Sequence, residues 1–145
     1  MSSAPRYLLG SALVAGFVTG ACDRFWTLSV SAINPVPVPT ECVQATLSQL
    51  EGAESVWVHR YPPDTGRFES ATFAIWSERG YGNLIITPGD SAPDSLRLRM
   101  SYSWVGQRPE RDTVEARASM YSDVIHRVAR TCWGTDPRVA VELPR

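Results

Sequence analysis

The chain has 145 residues, with 15 acidic and 14 basic side chains, a net charge of −1, 43% apolar residues and 20% charged ones. That length supports one hydrophobic core and leaves no room for a second catalytic domain. Charge this close to neutral, with every basic residue an arginine and the arginines scattered, excludes a basic nucleic-acid footprint and a polybasic membrane stripe.

Arg6 is the only charge before Asp23, and Tyr7 to Ala21 form a run of 15 apolar or small residues. As a helix that run spans about 22 Å, short of the ~30 Å hydrocarbon core, so residues 1–21 read as an export signal peptide. At its end, Thr19, Gly20, Ala21 and Cys22 resemble the lipobox of bacterial lipoproteins, with Thr19 standing where the pattern has Leu or a similar apolar residue. The resemblance covers the leader alone. It implies a diacylglyceryl thioether on Cys22, a membrane as partner through that lipid, and a place in the bacterial cell envelope facing the periplasm or exterior. Ordinary signal-peptidase cleavage after Ala21 and an uncleaved anchor are the alternatives. Cysteine arithmetic separates them: of Cys22, Cys42 and Cys132, lipidation removes the odd one and leaves a pair.

Residues 22–39 then read as a tether. Segment 24–33 is rich in Val, Ile, Trp and Phe, which suits a strand docking on the body, and PVPVP at 35–39 is a stiff extended spacer. Thr40 is placed to cap a helix that begins at Glu41, carries Cys42, Val43, Thr46, Leu47 and Leu50 on one side, and ends at Gly52. Four strands follow, at 54–61, 68–76, 81–87 and 95–105, the first closed by the turn PPDTG. The fourth is the cleanest, with Leu96, Leu98, Met100, Tyr102 and Trp104 alternating with Ser and Arg.

Residues 113–132 form the longest helix. Asp112 and Glu115 make a capping pair, Val114, Ala118, Tyr121, Ile125, Val128 and Cys132 form the stripe, and Gly134 and Pro137 stop it. The pattern predicts an α+β fold over residues 40–145, a single two-layer domain of helix, four-stranded antiparallel sheet and helix. Both helices lie on one sheet face, with room for an extra edge strand from the N-terminal segment or from 138–142.

Four strands between the two helices make them antiparallel. Cys42 opens the first and Cys132 closes the last, so both fall at one end of the domain and are expected to form a disulfide.

Chemistry finds few residues to work with. His59 is mid-strand and His126 sits near the edge of its helix stripe, where Asp123, three residues away, is in reach of it. Neither histidine belongs to a metal-spaced cluster, and no nucleophile elbow or phosphate-cradling glycine loop occurs, so no metal, cofactor or catalytic residue is assigned. The more informative feature is that the first three strands are apolar on both sides. Trp57, Tyr61, Trp76 and Tyr81 are expected on the face away from the helices, with segment 24–33 as the internal element able to cover them. The leading function is a non-catalytic envelope lipoprotein with an accessory or interaction role and an envelope protein as candidate partner. The runner-up is an extracytoplasmic module binding a small apolar or amphipathic ligand between sheet and helices, and an extracytoplasmic enzyme ranks third.

Overall fold

The computed structural model describes residues 24–61, 70–90 and 94–144; the expected signal peptide, Cys22 and the expected PPDTG turn lie outside them. In chain order the elements are β1 (Phe25–Pro35), α1 (Thr40–Ser48), β2 (Ala53–Tyr61), β3 (Ser70–Ser77), β4 (Gly82–Pro88), β5 (Ser95–Val105), α2 (Arg111–Trp133) and β6 (Ala140–Glu142). The fold is α+β: two helices and one antiparallel sheet of six strands in the order β2-β3-β4-β5-β1-β6.

Six strands replace the expected four, and the largest correction is β1. It is a strand docked on the body, as its composition suggests, but it lies inside the sheet beside β5 rather than as a strap over the open face. It pairs with β5 along all its length, from Phe25 opposite Val105 to Pro35 opposite Ser95. The reason is its alternation: Leu28, Val30, Ala32 and Asn34 are buried while Thr27, Ser29 and Ser31 face outward. A sheet ending at β5 would expose an eleven-residue row of unpaired backbone groups, and β1 satisfies that row. β6 in turn pairs Ser29–Ser31, leaving β1 internal there. The proline spacer is likewise held down. Val36 and Val38 pack against the core, and the Trp133 indole N–H donates to the Pro37 carbonyl at 3.2 Å.

The core lies between the helices and one sheet face. α1 rests on β2 and β3, α2 rests on β1 and β5, and the helices touch each other. Phe73, Leu84, Ile86, Leu98 and Met100 from the sheet meet Val43 and Leu47 of α1 and Tyr121, Ile125 and Val128 of α2, all fully buried. Each such aliphatic side chain cut back to Ala removes about 2–5 kcal/mol. Cys42 and Cys132 are joined, Cα atoms 5.7 Å apart, which ties the first turn of α1 to the last turn of α2 across 90 residues. The Thr46 hydroxyl lies 3.5 Å from the Cys132 sulfur.

Both expected helix starts differ from what is found. Thr40 is itself the first residue of α1, with Pro39 before it and no side-chain cap. α2 begins two residues earlier than the 113 expected, so Asp112 is already inside its first turn and Glu115 is engaged by Arg111 at 2.5 Å. Its far end is as expected. Gly134 takes φ 66°, and the N–H groups of Gly134 and Thr135 return to the carbonyls of Arg130 and Ala129.

Candidate functional site

The helices cover one face of the sheet, and the other face carries the site. Because side chains alternate along a strand, burial of Val56 and Val58 against the core turns Trp57 outward, and burial of Phe73 and Ile75 does the same for Trp76. Trp57 is 69% exposed and Trp76 64% exposed. The register sets them diagonally: Trp57 is opposite Ala74, and Trp76 is opposite Ser55. Such diagonal neighbours sit about 7–8 Å apart, within reach of two indoles, and the small Ala74 and Ser55 leave both rings standing clear. Further along the same face polar and apolar side chains are mixed, with Thr72 opposite Ile85, Ile85 opposite Arg99, and Arg99 opposite Ser31 on β1.

Segment 24–33 does not cover these tryptophans. As β1 it lies four strand positions from β2, about 19 Å away at the usual strand spacing. Tyr81 is also not part of the face. It precedes β4, is 5% exposed, and its hydroxyl donates to the Glu51 carbonyl at 3.0 Å, fastening the β3–β4 turn to the turn after α1. Gly80 at φ 64° and Gly82 at φ 74° bracket it, so strand alternation does not extend to Tyr81. Tyr61 pairs with Ser70 at the end of β2, and its side chain lies outside the described residues.

The histidines form no catalytic set with the partners foreseen. His126 meets Asp136 at 3.0 Å rather than Asp123, and Arg130 donates to the same carboxylate oxygen. The hydrogen bond from Arg130, with its charge and the contact from His126, holds the Asp136 carboxyl below the usual carboxylate range. This cluster fastens the chain leaving α2. Asp136 lies beyond the helix stop, so helical spacing alone offers no signal for it. His59 stands on β2 opposite Thr72. Among the described residues no three His, Cys, Asp or Glu side chains are grouped to hold a metal ion, and no helix is long and apolar enough to cross a membrane.

No protein-family model, curated protein or solved structure matches the chain.

Proposed function

We propose that this chain is a non-catalytic interaction protein of the bacterial cell envelope, held on a membrane by lipid on Cys22. It presents the helix-free face of its sheet to a partner protein. The observation that carries this reading is the pair Trp57 and Trp76, diagonal on one face and each about two-thirds exposed. Large, stiff aromatic rings freeze few rotamers on contact, and such residues dominate binding hot spots, with truncation often removing 2 kcal/mol or more. The rival reading, an apolar ligand between sheet and helices, has less in its favour, because that layer is filled by side chains such as Leu28, Val43, Leu47 and Ile125 at 0% exposure.

The test is capture from the native envelope with the intact lipidated protein, comparing wild type with Trp57→Ala and Trp76→Ala. Each variant is expected to weaken capture of the same partner about 30-fold, the equivalent of roughly 2 kcal/mol, with the melting temperature unchanged. Equal capture by wild type and both variants would refute the assignment of this face.

A further inference from the structure

We infer that the end of the domain where β1 begins is a rim that contacts the lipid bilayer, seated in its interfacial zone beside the anchor. This rests on the lipid attachment to Cys22 proposed above. Three peptide links separate Cys22 from Phe25, a reach of at most about 10 Å at full extension. With so short a link, the surface around Phe25 is held at the membrane.

That surface carries a set of exposed apolar side chains among polar ones. Phe25, 65% exposed, pairs with Val105, 60% exposed, at the end of the sheet. β6 runs antiparallel to β1 and delivers Leu143, 58% exposed, to the same end, where it lines a groove with Phe25. A second groove of about 320 Å³ joins Leu143 to Pro109 and Val114 at the start of α2. Trp26 completes the rim. Its indole N–H donates to the Gly106 carbonyl at 3.1 Å, and the Arg108 guanidinium lies 5.3 Å from its ring centroid. Aromatic rings with an apolar body and a satisfied polar edge concentrate at the membrane–water boundary. Charges of both signs flank the rim, Arg24 and Arg108 with Glu110 and Glu142, so the contact is apolar in character and makes no demand for an anionic headgroup.

This pose leaves Trp57, four strands away, free for a partner protein. The competing pose is a domain lying flat on its open sheet face, which would immerse Trp57 and Trp76 in lipid.

The two are separated with full-length lipidated protein in phosphatidylcholine vesicles whose acyl chains are brominated near the headgroup, so that bromine quenches nearby tryptophans. The quenched part of the emission is expected to fall by more than half in Trp26→Phe and to persist in Trp57→Phe and Trp76→Phe. Phe25→Trp, at a surface position, is expected to add a quenched emitter. Quenching unchanged by Trp26→Phe together with an unquenched tryptophan at position 25 overturns the rim, and so does quenching lost in Trp57→Phe or Trp76→Phe. Fatty-acid label is measured on the same protein. A labelled protein with an unquenched rim defeats this inference alone, whereas an unlabelled one removes the anchor and the inference together.

Discussion

The Thr135 hydroxyl donates to the Asn34 side-chain oxygen at 2.5 Å, joining the chain just past α2 to the inner face of β1 across 101 residues. Asn34 is 2% exposed and continues the row of Leu28, Val30 and Ala32, so an amide occupies a position where the strand pattern calls for an apolar residue. A buried amide oxygen stripped of its donor costs about 1–3 kcal/mol. Thr135→Val keeps the shape and removes the donor, and is expected to lower the unfolding free energy by that amount, read as a lower denaturant midpoint at unchanged slope. A midpoint equal to wild type would show that the bond contributes nothing.

The disulfide carries a larger share. Closing a loop of 90 residues removes denatured-state freedom worth about 4–5 kcal/mol in the loop-entropy account. Cys42→Ala with Cys132→Ala is expected to cost up to that amount, read as a large drop in melting temperature. Peptide mapping without reductant is expected to yield the linked fragment from wild type. Two alkylatable thiols in the native protein would contradict the bridge.

The elements legible in the sequence were those with long, regular patterns. β5 occupies its expected residues 95–105, α2 has its stripe and its glycine stop, and the cysteines sit at the helix ends that antiparallel packing requires. What was not legible is long-range. Nothing local in 24–33 says that it pairs with β5, whose paired residues lie 64 to 80 positions further along the chain, rather than lying across the sheet. Tyr81 shows a second limit. Its place in an apolar run suggested a strand residue, but two positive-φ glycines reset the chain direction around it. Each helix begins one or two residues before its expected start, because Thr40 and Asp112 are good capping residues by type and residue type alone does not fix a helix end. For the site, Trp57 and Trp76 follow from alternation alone, and their freedom from β1 follows only from the strand order.

Tyr81 and the two tryptophans should therefore separate cleanly by stability. Tyr81→Phe loses the bond to the Glu51 carbonyl and is expected to cost about 0.5–1.5 kcal/mol. Trp57→Ala and Trp76→Ala, at exposed positions, are expected within about 0.5 kcal/mol of wild type. Denaturant melts of the three variants check this. The reverse order would mean that the tryptophans are structural and Tyr81 is not.

Asp136 offers a test by pH. Its carboxyl is held below the ordinary 3.8 by the hydrogen bond from Arg130, then by the charges of Arg130 and His126. A group whose folded value is depressed adds stability above its unfolded value, and loses it as pH falls through the folded one. The contribution is therefore intact near neutrality and disappears below about pH 4. Arg130→Gln is expected to raise the Asp136 titration toward the ordinary value, read as the carboxyl ¹³C shift. An unmoved titration would show that Arg130 does not hold the carboxylate.

The proposed lipid anchor is tested at Cys22. Three acyl chains on one terminus hold a protein far more firmly than one, since each buried CH₂ contributes about 0.8 kcal/mol and a single chain gives only reversible binding. Cys22→Ser removes the sulfur on which the proposed thioether depends, and is expected either to stall processing of the leader or to release the protein from membranes. Wild type grown with a fatty-acid analogue is expected to carry label, and its mature N-terminal peptide to carry the mass of the acylated cysteine. The alternatives give different products. Ordinary cleavage after Ala21 leaves an unlabelled chain beginning with a free Cys22, and an uncleaved anchor leaves Arg6 in the membrane-bound form. An unlabelled protein beginning at Cys22 would defeat lipidation, while the sheet, its disulfide and the two exposed tryptophans would stand unchanged.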